Sequence, residues 1–538
     1  MKISTIKDKF DKWHYGVFFL IIVLALALRL TAIDWGMPYS NLHPDEGLIF
    51  YQAYDCALNH NFEIHTFYRP NHVTIKLNTL LYLGIQDFYF APQGLTDFSA
   101  NYSEHFALFT TASRVLSALF GVGVVIMGYL IARTWGKGKA LLASLLFAIF
   151  PSFIEHSHYI TPDIPLLFFL LFVLWIALRY IEKPTVAKLF AMSLFTALAF
   201  CEKYPGAFGC AIIAVAVCAS CYKKPGKIIG NGALAILFVF LGILAVSPVL
   251  IVDWKSVLET MDGQNMEYHL GADGLNFAET IWFYLKTTVT RMGFVLTVCA
   301  VYGIVRSCKK KLKPTLLLLT FLCYIFPISS LSIHWERYTL PIYAVGLLFA
   351  AFGIFYVFED FGETMRIRKP VIVAAAALLV FLPLVNQFSS AMAIVSKFLA
   401  PDSRICLQSV FKELNVTTDN TAYDCNTPLD PGGYYGAFSN FEAGDPSQYK
   451  YGSGPKFVMT SSAQRDLYLE SDQEVYGWVA NFYKALDENY PLVYIFTVEE
   501  PSYHFIEVQN IWYAARSVWR YMHGAAAGYE IRLYKLNP

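Results

Sequence analysis

Long apolar runs recur from the N-terminus to about residue 395, and they restrict the possible folds of this chain more than any other feature. A membrane-crossing helix needs roughly 20 mostly apolar residues. Such runs lie at residues 15–33, 107–132, 139–157, 164–181, 187–203, 206–222, 229–252, 288–306, 314–331, 338–358 and 370–395. The sequence therefore predicts an all-α polytopic membrane domain with about eleven transmembrane helices.

The composition agrees with this class. The chain is 56% hydrophobic and 15% charged, whereas soluble domains are about 45–50% apolar and 25% charged. This excludes a disordered protein, a coiled coil and an ordinary soluble enzyme. Lys+Arg and Asp+Glu both number 41, so no basic field exists to attract nucleic acid, and no nucleic-acid partner is predicted.

Basic residues predict the orientation, because Lys and Arg concentrate in cytoplasmic loops. They cluster at every second loop, in residues 2–12, 133–139, 179–188, 223–227, 306–313 and 366–369. We therefore expect a multi-pass integral membrane protein with a cytoplasmic N-terminus and an extracytoplasmic C-terminus. In a bacterium or archaeon, it would lie in the plasma membrane.

Two long segments fall on the predicted outer side. Residues 1–399 are predicted to form the membrane domain, with a large outer loop at 34–106. Residues 400–538 are predicted to form a soluble α/β domain, with strands at 456–459, 492–498 and 529–536 and helices at 403–414 and 473–486.

Cysteines do not identify a metal site. The pair Cys218 and Cys221 has the CxxC spacing, but no second pair or histidine pair accompanies it, so a zinc site is not predicted. Cys406 and Cys425 are the cysteines of the C-terminal domain. A disulfide between them and two buried thiols are both open interpretations.

Ionisable residues cluster at the predicted outer edges of the spans. His43-Pro44-Asp45-Glu46 is consistent both with an ordinary helix start and with a general base at the membrane surface. Glu155 to Asp163 includes His156 and His158; it is consistent with a helix cap, a wet loop or a metal site.

Two further clusters add cations on the same side. Lys203, in Glu202-Lys203-Tyr204-Pro205-Gly206, is placed either to reach the interface or to meet a phosphate. Arg337, in His334-Trp335-Glu336-Arg337-Tyr338, suits phosphate recognition or a local pair with Glu336. Carboxylates and cations gathered on one face, with nearly charge-free midplanes, favour chemistry at the outer surface over transport.

Several motifs, in this order, resemble those of GT-C glycosyltransferases, which are polytopic enzymes that use polyprenyl-phosphate sugars. Protein O-mannosyltransferases and bacterial lipid A aminoarabinose transferases are the most similar groups. The resembling segments are residues 28–39 with His43-Pro44-Asp45-Glu46, residues 114–121, residues 151–163, Glu202-Lys203-Tyr204-Pro205-Gly206, Arg337-Tyr338-Thr339-Leu340-Pro341 and Pro401-Asp402-Ser403-Arg404.

The resemblance implies a reaction on the outer face. A sugar would move, with inversion, from a polyprenyl phosphate (undecaprenyl or dolichyl) to a protein, lipid or cell-surface glycan. Membrane lipids are the remaining expected partners. The resemblance implies that Asp45 is the general base, that Glu46 is its partner and orients it or the acceptor, and that Asp163 positions the sugar or the acceptor.

The remaining implied roles concern binding. The glycosyl donor's phosphate would be held by Arg337 and Lys203, with Lys76 and Arg69 competing for a further place, and substrates would contact His43, His158 and Tyr338. No cofactor and no metal ligand is predicted, although some GT-C enzymes use a divalent ion such as Mg or Mn, so metal dependence stays open. Asn415-Val416-Thr417 forms an N-glycosylation sequon.

Three other functions compete with this one. A flippase or transporter of lipid-linked sugars would show midplane charges or an internal repeat, and neither is found. A glycan polymerase or ligase would share the outer-face site. A receptor or assembly protein would leave the clustered loop charges without a role.

Overall fold

The computed structural model describes residues 3–38, 43–67, 69–263, 274–364, 369–417, 420–424, 456–471, 473–498, 501 and 503–536. Cys425 lies outside these residues, as does part of the last basic loop, residues 366–368. Cys406, the other cysteine of the predicted pair, is half-buried.

Helices occur at all eleven predicted positions. The bounds are α1 (Ile3–Leu30), α5 (Phe106–Ala132), α6 (Lys137–Ile149), α7 (Pro151–Glu155), α8 (Asp163–Glu182), α9 (Val186–Glu202), α10 (Gly209–Cys221), α11 (Pro225–Val246), α14 (Phe277–Met292), α15 (Phe294–Lys310), α16 (Leu312–Leu322), α17 (Ile325–Ser329), α18 (Leu340–Thr364) and α19 (Lys369–Leu399).

Among the described residues, eight helices are long and apolar enough to cross a membrane, or nine if α14 and α15 form one bent span. The predicted spans at 139–157 and 187–203 correspond to shorter helices. The first is divided between α6 and α7 at Pro151, and the second is the 17-residue α9. The predicted membrane-helix class is confirmed.

A buried arginine explains the division between α6 and α7. Arg29, on α1, is fully buried and donates hydrogen bonds to the carbonyl oxygens of Phe147 (3.2 Å) and Ala148 (3.0 Å). These carbonyls belong to the last turn of α6, where the helix leaves them without intrahelical partners. A cation at a helix C-terminus is also favoured by the helix dipole. Arg29 therefore stabilises the end of α6, and Pro151 begins α7.

The segment between α1 and α5 forms a layer of short helices. These are α2 (Glu46–Leu58), α3 (His72–Ile85) and α4 (Phe98–Glu104). Their apolar faces form a separate small core that includes Ile49, Phe50 and Tyr82 and is completed by Phe109 of α5. The layer lies at the same end of the bundle as the C-terminal region, since Trp35 contacts Phe398 at the end of α19 with ring centroids 5.5 Å apart.

The C-terminal region forms the predicted α/β structure. Its strands are β1 (Thr421–Tyr423), β2 (Phe457–Ser461), β3 (Leu492–Phe496) and β4 (Ile531–Lys535), in the order β1-β2-β4-β3. β1 and β2 are parallel, whereas β4 is antiparallel to both of its neighbours. The helices of the region are α20 (Ser403–Cys406), α21 (Gln408–Leu414), α22 (Ser462–Glu470), α23 (Gln473–Asn489) and α24 (Glu507–Met522).

Two further helices, α12 (Val249–Val252) and α13 (Trp254–Gly263), follow α11. In the C-terminal region, β2, β3 and β4 start within two residues of the predicted strands, whereas α22 and α24 were not predicted. The missed α24 packs against α19 and joins the two parts of the chain. The boundary at residue 399 coincides with the last residue of α19, but the division into domains stays a prediction.

Candidate functional site

Asp45 lies between two arginines from distant parts of the chain. It directly precedes α2, and its side chain is 13% exposed. Arg69, in the segment before α3, pairs with Oδ1 at 2.5 Å, and Arg337, in a single 3₁₀ turn before α18, pairs with Oδ2. The structure thus brings together three residues that the sequence analysis placed in separate motifs.

The arginines set the charge state of Asp45. Burial alone would raise the pKa of the Asp45 carboxyl, but the positive charges of Arg337 and Arg69 outweigh burial and hold this pKa well below its usual value. Asp45 is therefore ionised at neutral pH, and it is a weak base while both arginines contact it. It becomes a stronger base if an anion draws the arginines away.

A second acid and cation lie beside this group. Lys203, which follows α9, donates a hydrogen bond to Asp163 Oδ1 at 2.7 Å, and Asp163 is the first residue of α8. The ammonium of Lys203 also lies 4.5 Å from the ring centroid of Tyr338. Asp163 and the Tyr338 ring thus hold Lys203 in one place, pointing toward the same space as Arg337.

These residues line a cavity of about 290 Å³, which we call the basic cavity. Its polar wall includes Arg69, Asp163, Lys203, Arg337 and Tyr338. The rest of its wall is mostly apolar and includes Leu166 of α8, Met261 of α13, Ile328 of α17, Leu331 just after α17 and Leu340 at the start of α18. A chamber with three cations, one acid and a hydrophobic wall suits an anionic head group joined to a lipid tail.

A smaller cavity of about 70 Å³, the junction cavity, lies between the bundle and the C-terminal region. Its wall includes His43, Tyr159, Lys397, Asp402 and Arg404. The ring of His43 lies 4.1 Å from that of Tyr159, and its Nδ1 accepts a hydrogen bond from the backbone N–H of Asp45 at 3.3 Å. Burial lowers the pKa of His43 to about 4, so His43 is neutral at pH 7.

Glu46 faces away from both cavities. Its carboxylate accepts two hydrogen bonds from the buried Arg114, at 3.0 and 2.8 Å, and one from the backbone N–H of Ile160 at 3.1 Å. This arrangement ties α2 to α5 and to the loop before α8. Glu46 therefore holds the start of α2, and Asp45 with it, in position.

Lys76 and His158, two other predicted site residues, also contact neither cavity. Lys76 Nζ donates to the backbone oxygen of Val246 at 2.6 Å, at the C-terminus of α11. His158 is fully buried, with ring nitrogens 2.9 Å from the oxygen of Ile154 and 3.0 Å from that of Thr31. Of the two residues that competed for a place at the phosphate, Arg69 is the one that lines the basic cavity.

Other charged residues near Arg337 were missed as site residues. Arg291, at the end of α14, pairs with Glu336, the residue before Arg337. Tyr503, from the C-terminal region, covers the guanidinium of Arg291, with 3.5 Å between the guanidinium carbon and the ring centroid. Arg291 could have been found from the sequence, because it is a charged residue inside the predicted apolar span at 288–306. No feature of the sequence singles out Tyr503.

Within the part of the chain that the structure describes, no group of three or more His, Cys, Asp or Glu residues is placed to hold a metal ion. Asp45 and Asp163, the carboxylates that face the site, are instead paired with cations.

The fold and part of the sequence are similar to those of known proteins. Residues 107–252, less than half of the chain, match the family model described as dolichyl-phosphate-mannose-protein mannosyltransferase. In sequence, no curated protein matches this chain.

Three solved structures share the fold. The apo oligosaccharyltransferase of Archaeoglobus fulgidus is 13% identical with a TM-score of 0.54, covering 97% of this chain and 88% of that one. The archaeal oligosaccharyltransferase AglB from A. fulgidus, in complex with an inhibitory peptide and a dolichol-phosphate, is 13% identical with a TM-score of 0.52, and the match covers 98% of this chain and 88% of that one. ArnT from Cupriavidus metallidurans, bound to undecaprenyl phosphate, is 14% identical with a TM-score of 0.50, and the match covers 84% of this chain and 94% of that one. These likenesses confirm the predicted GT-C resemblance at the level of the fold.

Proposed function

We propose that this protein is a membrane glycosyltransferase that moves a hexosyl or pentosyl residue from a polyprenyl-phosphate donor to an acceptor on the extracytoplasmic face. The observation that carries the proposal is the position of Asp45. The carboxylate contacts Arg69 and Arg337, which line the basic cavity. Its backbone contacts His43, which lines the junction cavity.

The basic cavity suits the glycosyl donor. Arg69, Arg337 and Lys203 would hold the phosphate, because guanidinium and ammonium groups form strong charge-assisted hydrogen bonds to phosphate oxygens. The apolar wall would receive the first part of the lipid. The solved structures of A. fulgidus AglB with a dolichol-phosphate and of ArnT with undecaprenyl phosphate support a lipid phosphate as ligand.

The junction cavity suits the acceptor, which would be a protein, a lipid or a glycan with a free hydroxyl group. His43 and Tyr159 offer ring surfaces, and Lys397 and Arg404 offer charge. His158 lines neither cavity and its ring nitrogens lie near the oxygens of Ile154 and Thr31, which supports a structural role for it in place of a substrate contact. Tyr338 would act from the other side, beside the phosphate, where it fixes Lys203.

The chemistry follows from this division. The donor phosphate draws Arg69 and Arg337 away from Asp45, and the carboxylate regains basicity as it loses its cations. Asp45 then takes the proton of the acceptor hydroxyl as its oxygen attacks the anomeric carbon from the face opposite the phosphate. The bond from carbon to phosphate oxygen breaks, and the arginines and Lys203 stabilise the charge that develops on the leaving polyprenyl phosphate. The configuration at the anomeric carbon inverts.

The proposal is tested with labelled sugar transfer in proteoliposomes, using a panel of polyprenyl-phosphate donors and comparing wild type with Asp45→Asn. We expect wild type to consume a donor and Asp45→Asn to be slower by about 10²–10⁴-fold, because the general base is lost. Asp55→Asn is the matched control, since Asp55 is an exposed carboxylate on α2, the helix that Asp45 directly precedes. A parallel series with a chelator measures metal dependence.

Three results would contradict the proposal. Equal rates for wild type and Asp45→Asn would remove Asp45 from the mechanism and direct attention to Asp163. Labelled lipid that changes leaflet while no sugar is transferred would replace the enzyme with a flippase. Transfer of whole lipid-linked glycans, rather than single sugars, would identify a polymerase or ligase.

A further inference from the structure

The bent pair α14 and α15 is completed by residues of the C-terminal region. The two helices meet at an angle of 110° on either side of Gly293. The first two N–H groups of α15 donate to this region: Phe294 N to the oxygen of Phe505 at 3.0 Å, and Val295 N to Glu507 Oε1 at 2.6 Å. The N-terminal N–H groups of a helix have no partners within it, so residues 503–507, the docking segment, supply them.

The docking segment also fixes a side chain at the end of α14. The ring of Tyr503 stacks on the guanidinium of Arg291, whose carbon lies 3.5 Å from the ring centroid. The backbone oxygens of Arg291 and Met292 each accept a hydrogen bond of 3.1 Å from Gln387 of α19. Arg291 is therefore held by its backbone from one side and by its guanidinium from the other.

Arg291 in turn occupies Glu336. The two form an ion pair, and Glu336 also accepts hydrogen bonds from Ser152 (2.9 Å) and Tyr343 (3.3 Å). Glu336 is the chain neighbour of Arg337, on the same 3₁₀ turn. A carboxylate without Arg291 would attract the adjacent guanidinium of Arg337 and draw it from Asp45 and the basic cavity.

We propose that the docking segment is part of the active-site architecture: Tyr503 positions Arg291, Arg291 occupies Glu336, and Arg337 is thereby kept free for the phosphate of the glycosyl donor. Tyr503 and Arg291 are positioning residues, since neither lines the basic cavity. This inference rests on the proposed function. It gives the C-terminal region a role in binding the donor, in addition to its place beside the junction cavity.

The test compares Tyr503→Leu, Tyr503→Phe and the control Trp512→Leu in the same transfer assay. Tyr503→Leu removes the aromatic face and is expected to raise the KM for the donor about 10-fold while the KM for the acceptor stays unchanged. Tyr503→Phe keeps the face and is expected to match wild type. Trp512, on α24, is 57% exposed, and its replacement by Leu is expected to change neither KM.

Unfolding is separated from positioning by a second variant. Arg291→Gln leaves Tyr503 in place but frees Glu336, and it is expected to raise the donor KM at least as much as Tyr503→Leu does. The double variant, Tyr503→Leu with Arg291→Gln, should have the same donor KM as Arg291→Gln alone, because both changes act through the contact between Arg291 and Glu336. Additive effects, equal donor KM values for Tyr503→Leu and wild type, or a change confined to the acceptor KM would overturn the inference.

Failure of the proposed function gives a different result. If wild type transfers no sugar from any donor, the proposed function fails and the donor KM cannot be measured. If wild type transfers sugar and Tyr503→Leu does so with the same donor KM, only the positioning role fails. Thermal unfolding of each variant in detergent identifies any loss of activity that comes from a damaged fold.

Discussion

Asp45 shows how much of a residue's chemistry depends on side chains far away in the chain. The sequence predicted Asp45, Asp163, Lys203 and Arg337 as site residues, each from a short motif near a membrane edge, and the structure places all of them in one neighbourhood. The sequence could not predict which of the nearby cations contacts Asp45. Arg69 and Lys76 are seven positions apart and both lie in the first outer loop, and only the path of α3 places the two side chains differently.

This difference leads to a prediction for the two cations. Arg69→Gln removes a guanidinium from the basic cavity and is expected to raise the donor KM about 10- to 100-fold, the loss of one charge-assisted phosphate contact. Lys76→Gln should leave the donor KM within about twofold and lower stability slightly, since Lys76 serves the C-terminus of α11. Donor titrations in proteoliposomes check both; equal KM changes for the two variants would refute this assignment.

Glu46 teaches a similar lesson. The resemblance implied that Glu46 is the partner of Asp45, orienting it or the acceptor, and the residues themselves showed only two adjacent carboxylates. Successive residues at a helix start point in different directions. In the structure Asp45 faces the cations of the basic cavity, and Glu46 faces the buried Arg114. Adjacency in sequence could not reveal this, because Arg114 lies 68 positions away on α5.

At the scale of elements, apolar length predicted where helices lie but not where they break. The predicted span at 288–306 contains the 110° bend at Gly293, and the predicted span at 139–157 contains the division at Pro151. Gly293 has φ +83, and a Cβ there would lie 2.9 Å from Glu507 Oε1. The bend therefore depends on a glycine and on a carboxylate from α24, a helix that the sequence analysis did not predict.

We expect Glu507→Ala to lower the free energy of unfolding by about 1 kcal/mol, as the loss of an N-terminal helix cap does. Glu507→Gln should lose less, because its amide oxygen can still accept the hydrogen bond from Val295. The midpoint of thermal unfolding in detergent measures both changes. Glu488→Ala is the control, since Glu488 is exposed on α23; an equal loss for Glu488→Ala would show that the contact at Val295 contributes nothing.

At the scale of the whole molecule, the sequence predicted the membrane-helix class, which the structure confirms. The division into a membrane domain and an outer domain stays a prediction. Membrane helices can be recognised in a sequence because the hydrocarbon core of the bilayer requires long apolar segments whose backbone groups are hydrogen-bonded within the helix. The contacts between the bundle and the C-terminal region carry no such signal, since they join residues far apart in the chain, such as Phe294 and Phe505 or the helices α19 and α24. The cavities at this end of the bundle could not be predicted for the same reason.

The proposed orientation can be measured directly. Cysteines introduced by Lys224→Cys, in a basic loop, and by Gln509→Cys, on α24, lie at opposite ends of the bundle by the predicted topology. In intact cells, a membrane-impermeant maleimide should label Gln509→Cys more than the wild-type chain, whose own cysteines include Cys406 of the same region. Lys224→Cys should not exceed wild type there, and both variants should exceed wild type after the membrane is opened. Labelling of Lys224→Cys alone in intact cells would invert the topology and place the site on the cytoplasmic side.

The two arginines around Asp45 also bear on the end of a reaction cycle. A polyprenyl-phosphate sugar is a phosphodiester with a single negative charge, whereas the polyprenyl phosphate left after transfer is a monoester with a charge of about −1.5 to −2 at pH 7. The product polyprenyl phosphate should therefore bind Arg69 and Arg337 more tightly than the donor polyprenyl-phosphate sugar does. Asp45, once it has passed on its proton, is an anion tethered beside the same two guanidinium groups, and so the protein carries its own competitor with which to expel the product and return to rest.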